Sequence, residues 1–563
     1  MSSLQAYQSH GIRYYRIVES FRKNGKPHLR VLAHLGRVDD ILQNHRQQSE
    51  APVKISSVSA GAVTALHRLA QELDVAGRIN RAIAPAGDVQ IRDGLTVGES
   101  LLAAMISRAC APRSKRAFAD WAKTTYLPVL MNFTAADLTS QHFWDRMNAL
   151  PVDQLTVIEQ GLVREVARIE QLQWTALAYD TTNFYTNALS SSCADIASTN
   201  LRPELPQRGH NKQGRHDLRQ MGLALVVDRE TQLPLAHQLY AGARSDMKTF
   251  AEFLKPVRKL LRELTGQPER LTIVFDAGAS SRQNLETMEH YVTAVRPSDH
   301  RALLTEAAGS LAPVQLANGA EVRAWRTRRA IAGQQREVVV VFSPQLHQGQ
   351  LRGLQQSLAR WQREAEELGF SPRVSLDAAK RKLAKIRSRQ YLRSLLDFKV
   401  DQDEQGATRV SVWSDWQEYQ RLVTRYFGLR ILITDRAEWS TAQIIQAYRG
   451  QSKVESAFRD MKDPRMLSTR PQFHWTDQKL HVHAFMCVTA YLLVTLLHRR
   501  ATQKTGFQGS SRRLLAELAE VRCCQLVDVT GRKGRPRVRM QIEQIDPARQ
   551  ALVEALGAAP AIG

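Results

Sequence analysis

Between Thr175 and Ser280 the apolar residues come in short unbroken runs around one segment of helical spacing, and this restricts the fold more than any other feature of the chain. TALAYDTTNFY (175–185) and LTIVFDAGAS (271–280) each contain an apolar run that ends on an aspartate, Asp180 and Asp276. LRQMGLALVVDRETQLPLAHQLYAG (218–242) is two further runs around the turn segment Asp228 to Pro234, and MKTFAEFLKPVRKLLREL (247–264) repeats its apolar residues at helical period. Runs this short, bounded by turn residues, read as strands buried on both faces. A helix (Arg282 to His290) and a strand (Tyr291 to Arg296) are expected next, so the segment reads as an α/β core.

The flanking segments differ in period. Residues 12–36 alternate β-branched or aromatic with polar residues on both sides of Lys23-Asn24-Gly25-Lys26, and Asn-Gly supplies the positive φ angles of a tight hairpin turn. From Ser59 to Gln171 apolar residues recur at spacings of three and four, which predicts a helical domain. Residues 298–436 hold the strand-like runs VRAWRTRR, REVVVVFSP, GATRVSVWSDW and GLRILITD around a basic helical piece, SLDAAKRKLAKIRSRQYLRSLL (375–396), and read as a mostly β insertion with one basic helical arm. The expected division is a β unit over 1–58, a helical DNA-binding domain over 59–171, the core over 172–297, the insertion over 298–436, the rest of the core over 437–505 and a basic C-terminal region over 506–563.

Lys and Arg total 78 against 55 Asp and Glu, a net charge of +23, which favours a polyanionic partner through counterion release. None of the five cysteines sits at zinc-ligand spacing, so a reducing cytoplasm is expected. The N-terminal residues lack a signal-peptide pattern. The longest apolar run, Ala484 to Leu497, falls short of a bilayer span and reads as a buried helix, and no membrane partner is expected.

Strand, hairpin, helix, strand is the order of a ribonuclease-H-like core. An aspartate at the end of a buried strand projects from a rigid sheet into the crevice where ligands of open α/β sheets bind, although a lone aspartate there also serves as a cap or turn residue. On the predicted helix from Ser440, Tyr448, Glu455 and Lys462 recur every seven residues, which returns to within ~20° of one face. Gln451 and Arg459 lie four residues either side of Glu455. A tyrosine, a carboxylate and a lysine in one stripe suit a metal ligand flanked by phosphate-binding groups. An ordinary Glu-Arg pair on a solvated helix has the same spacing.

YRGQSKVESAFRDMK resembles the Tyr-(2)-Arg-(3)-Glu-(6)-Lys signature of insertion-sequence DDE transposases that carry a β insertion between the second Asp and the Glu. FDAGASSRQNLE is similar to their second-Asp block, ALAYDTTNFY to the first, and GHNKQGRHDLRQMGLALVVDRETQLPL to the segment after the first Asp. The resemblance implies that Asp180, Asp276 and Glu455 bind two Mg²⁺ ions, with Mn²⁺ as a substitute, and that Tyr448 and Lys462 contact DNA near the cleavage site. It further implies a homodimeric cut-and-paste transposase acting on double-stranded DNA, the terminal inverted repeats of an element and its target, in a bacterial cytoplasm at the nucleoid. Two rivals are a metal-dependent nuclease that does not join strands and a catalytically silent DNA-binding descendant. The signature's Arg falls at Gln451, and Asp276-Ala277-Gly278 lacks the Arg that follows the second Asp in the family.

Further candidates for DNA contact are Arg459, Gln451, the loop residues Lys212 and Arg215 with His210 and Arg219, and Trp325, which the resemblance makes a stacking partner for a flipped base. The charges from Lys380 to Arg393 surround the helical arm and read as a charged surface that also tracks phosphates. His481 and His483 read as core or hydrogen-bonding residues and not as metal ligands, since Cys487 is the one soft ligand near them.

Overall fold

The computed structural model describes residues 2–23, 26–42, 53–84, 89–172, 174–186, 204–209, 217–265, 271–369, 374–389, 391–402, 404, 408–469, 474, 476–528 and 538–560. The chain divides into two compact units, Met1–Pro268 with Ser452–Gly563, and Glu269–Gln451. In the first, β1 (Ser2–Ser9), β2 (Ile12–Lys23) and β3 (Lys26–Gly36) form an antiparallel sheet in that order. The expected hairpin is the β2–β3 pair, while its turn residues Asn24 and Gly25 lie outside the described residues. After β4 (Val53–Ser59) come the helices α1 (Gly61–Glu72), α2 (Val75–Ile83), α3 (Val97–Cys110), α4 (Ser140–Asn148) and α5 (Val152–Glu170). The sequence sets where α3 starts: Thr96 accepts from Glu99 N at 3.2 Å while Glu99 takes the Thr96 N–H at 2.8 Å, so two otherwise orphaned donors are satisfied. Along α5 the buried residues Leu155, Ile158, Leu162 and Val166 recur at spacings of three and four.

Next, β5 (Ala176–Thr186), β6 (Arg219–Asp228) and β7 (Pro234–Ala241) form an antiparallel run, followed by α6 (Asp246–Thr265). Asp228 closes the β6–β7 turn by accepting from Thr231 N at 2.7 Å and Thr231 Oγ1 at 2.6 Å. Asp180 is not at the end of its strand, as the apolar run had suggested. The strand continues six residues further because Thr181 to Thr186 pair with Ala224 to Arg219.

The second unit holds β8 (Thr272–Phe275), β9 (Tyr291–Val295), β10 (Ala312–Gln315), β11 (Glu321–Ile331), β12 (Gln334–Phe342), α7 (Pro344–Gly369), α8 (Leu376–Arg387), β13 (Leu396–Gln402), β14 (Thr408–Ser414), α9 (Trp416–Arg425), β15 (Leu429–Thr434) and α10 (Thr441–Arg449). Within it the strand order is β10-β11-β12-β15-β9-β8, antiparallel except for the parallel pair β8–β9. The expected mostly β insertion is corrected here. β12 and β15, apolar and β-branched, are interior strands of this sheet, β12 pairing with β11 and β15 and β15 pairing with β9. The remainder, α7 to α9 with the β13–β14 hairpin, is largely helical around its own core of Leu354, Trp361, Leu368, Leu383, Leu396 and Phe427.

The chain re-enters the first unit in α11 (Gln451–Lys462), followed by α12 (Asp477–Thr505), α13 (Ser511–Ala519), β16 (Arg522–Asp528), β17 (Val538–Ile542) and α14 (Pro547–Leu556). α12 is long and apolar enough to cross a membrane, and 94% of its most apolar window is buried inside the protein. It is the core helix that its apolar run suggested, running through one cluster with residues of α1, α3 and α5. β16 pairs with both β4 and β17, tying the C-terminal segment to the N-terminal one.

Candidate active site

Asp276 follows β8 directly, and Tyr448 lies on α10, which packs on the sheet of the second unit through Ile444, Ile445 and Ala447. The Tyr448 hydroxyl donates to Asp276 Oδ1 at 3.0 Å across 172 residues of sequence. Tyr448 is 6% exposed, whereas Asp276 is exposed, so the ring is fixed by packing and its polar tip reaches the carboxylate. Arg430 of β15 sits over the Tyr448 ring at 5.2 Å, a contact the sequence reading missed.

The helix expected over 440–462 is interrupted at Gly450, the residue with the least helix propensity after proline, so Tyr448 is on a different helix from Glu455 and Lys462. The seven-residue stripe therefore holds only within α11. There Val454, Ala457, Phe458 and Met461 are buried, and Glu455 and Arg459 are exposed. Lys462 bonds the Thr182 hydroxyl, and its ammonium sits 5.4 Å from the centre of the Phe184 ring. Since side chains alternate along a strand, Thr182 and Phe184 share a face of β5 with Asp180. The end of the Glu455 helix thus rests on the strand face that bears Asp180, in the same unit. Asp180 is half-buried and accepts from Thr181 N at 2.7 Å.

The three acids offer oxygen donors only, the set that hard divalent cations prefer. Among the described residues, no three His, Cys, Asp or Glu side chains gather closely enough to hold an ion. Asp180 and Glu455 belong to the first unit and Asp276 to the second.

Of the remaining candidates, Gln451 is buried at 5% exposure and Arg459 donates to Ser456 Oγ at 2.8 Å. Trp325, half-buried on β11, carries the Arg329 guanidinium 5.9 Å from its ring centre. His210, Lys212 and Arg215 lie outside the described residues, and Arg219 donates to Pro206 O at 3.4 Å. On α8, Ala379, Leu383 and Ile386 are buried while Lys380, Arg381, Lys382 and Lys385 are exposed. His483 is buried with its Nε2 3.4 Å from Thr469 O, in keeping with a core role.

Residues 189–493 match the family model of the transposase DDE domain, and residues 6–78 that of the IS1634 family transposase N-terminal domain. The first match covers more than half of the chain and contains Asp276 and Glu455, whereas Asp180 precedes it. No curated protein matches the sequence. Among solved structures, that of the piggyBac transposase synaptic complex with hairpin DNA is similar at 9% identity over 81% of this chain and 79% of that one, with a TM-score of 0.37, too low to support an argument.

Proposed function

The chain belongs to the insertion-sequence DDE transposases, and from that premise we propose that it moves an element by a cut-and-paste route, with Asp180, Asp276 and Glu455 as the metal-binding carboxylates. The observation that carries this assignment is the Tyr448–Asp276 hydrogen bond, which joins two positions of the resemblance 172 residues apart. The Lys462–Thr182 contact supports it from the first unit, where it sets the Glu455 helix on the Asp180 face of β5. A ribonuclease-H-like core is part of the same reading, supported by the antiparallel β5–β6–β7 run and the parallel β8–β9 pair.

The family generally uses divalent metals, here proposed to be Mg²⁺ with Mn²⁺ as a substitute. When bound, such ions would offset the charge that builds on the attacking and leaving oxygens of a phosphodiester, with Asp180, Asp276 and Glu455 as the residues that would hold them. The chain's own residues position and orient. Tyr448 engages one oxygen of Asp276 and so orients the carboxylate that would hold a cation. Lys462 and Arg459 supply positive charge on the Glu455 helix, where they meet backbone phosphates of the element end. Water cuts the element end first, and the freed 3′ hydroxyl then attacks target DNA in line. The helical domain over 59–171 contacts DNA, and two copies of the chain bring two element ends together.

Excision and joining assays test the reading. Asp180→Asn, Asp276→Asn and Glu455→Gln are each expected to abolish excision while duplex binding persists. Joining of pre-cleaved ends separates a transposase from a nuclease, since release without any joined product favours the nuclease. Wild type and variants that bind DNA equally and all fail to cut would identify a silent DNA-binding descendant. Denaturing gels of excised ends report whether a hairpin forms, the step in which Trp325 would stack on a base.

A further inference from the structure

β14 is a strand with an open side. In its two-stranded sheet, β13 is its one partner among the described residues. Six consecutive β14 residues, Arg409 to Ser414, line a groove of about 800 Å³ whose other wall is α7, through Leu358, Trp361, Gln362 and Ala365. Side chains alternate between the faces of a strand, so lining by consecutive residues means that β14 turns its backbone edge to the groove. An open edge is a template for another strand, and proteins usually blunt one with proline, lysine or a bulge. The outer strands β3, β7 and β10 contain Pro27, Pro234 and Pro313. β14, TRVSVWS, has neither proline nor lysine and pairs with β13 in unbroken register.

The groove also holds apolar surface and a donor in want of an acceptor. Trp413 and Trp416, 52% and 67% exposed, are the two exposed tryptophans among the described residues, and both line it. Trp361 is 3% exposed, and its buried Nε1 has no hydrogen-bond partner among the described residues. A strand laid along the groove brings backbone carbonyls, the acceptors that such a donor and the edge N–H groups need. β14 is complementary to itself in this role. Arg409, Ser411 and Trp413 are exposed on one face, while Val410 and Val412 pack on the core that holds Trp361 and Phe427. Two copies paired antiparallel about Ser411 set exposed residues against exposed ones and valine against valine. Arg409 then lies opposite Trp413 of the second copy, where a guanidinium and an indole attract. A slip of one residue would set exposed side chains against core-facing ones.

We propose that a second copy of this chain docks here, β14 against β14, to give a four-stranded antiparallel sheet with its two-fold axis at Ser411. This names the surface for the pairing of copies put forward above, and rests on that pairing.

Ser411→Cys in the full chain tests it under mild oxidation. Directly opposed residues of an antiparallel pair have Cα atoms about 4.5–5.5 Å apart, within reach of a disulfide. A covalent dimer is therefore expected on non-reducing gels, absent from the wild type. Lys399→Cys is the control, because Lys399 lies beside Ser411 on β13 and its two copies would be three strand spacings, about 14 Å, apart. Ser411→Asp sets two carboxylates face to face and should turn the wild-type dimer into a monomer in light scattering. Ser411 is exposed, so neither substitution disturbs the core. A wild-type dimer with no Ser411→Cys link overturns this interface and leaves the pairing of copies standing. A monomeric wild type, with or without duplex DNA, and no link overturns both. A link in a chain that does not excise DNA keeps the interface and counts against the transposase reading. No link, together with weaker single-stranded DNA binding by Trp413→Ala, overturns the proposal and gives the groove to a nucleic acid.

Discussion

At the scale of single residues, the contact with the most functional weight is a hydroxyl on a carboxylate. Tyr448→Phe keeps the buried ring and its Arg430 neighbour but removes the donor to Asp276 Oδ1. Loss of a partner that orients a metal-binding carboxylate typically costs about 10–100-fold. Tyr448→Phe is therefore expected to slow cleavage by about that factor in single-turnover assays, with duplex affinity and Tm nearly unchanged. An unchanged cleavage rate would detach Tyr448 from the site. Both residues stood out in the sequence, Asp276 by its place after a buried run and Tyr448 by the resemblance. Arg430 did not, because a cation over a ring joins residues on separate elements and leaves no spacing signal.

At the scale of elements, local chemistry and burial explain most of what formed. The Thr96–Glu99 box starts α3, and Thr96→Ala should lower stability by about 1 kcal/mol, read as a shift in denaturant midpoint. α12 is buried along most of its length, so Leu493→Ala, at 1% exposure, should cost about 2–5 kcal/mol in the same measurement. A change below 1 kcal/mol there would mean that the helix does not sit in the core. Two elements departed from expectation for physical reasons. The helix over 440–462 breaks at Gly450, and the period-seven stripe assumed continuity that glycine does not favour. α7 was not among the expected elements, although Leu351, Leu354, Leu358, Trp361, Ala365 and Leu368 follow helical spacing.

At the scale of the whole molecule, buried bases make stability depend on pH. His474 and His483 are held well below their ordinary range in the fold, chiefly by desolvation, while the unfolded chain titrates them near 6.5. Below that pH the unfolded chain binds protons that the fold refuses, so stability falls as pH drops through 6.5. Lys115, at about 7 in the fold against 10.5 unfolded, has already lost its share between those values and adds little further change below 7. Tm is expected to fall from pH 7 to pH 5, and the double variant His474→Gln/His483→Gln should flatten that fall; an equal slope in both would place the effect elsewhere. The sequence alone determined the core strands β5 to β9, the apolar core helix, the strongly basic character and the acids worth naming, because period, turn chemistry and charge are local properties of a chain. Tertiary structure decided that β12 and β15 are interior strands of the second unit's sheet, that Tyr448 reaches Asp276 and that Lys462 reaches the Asp180 strand. Those outcomes depend on which distant segments pack together, and packing is settled by the sum of many weak contacts that no single spacing records.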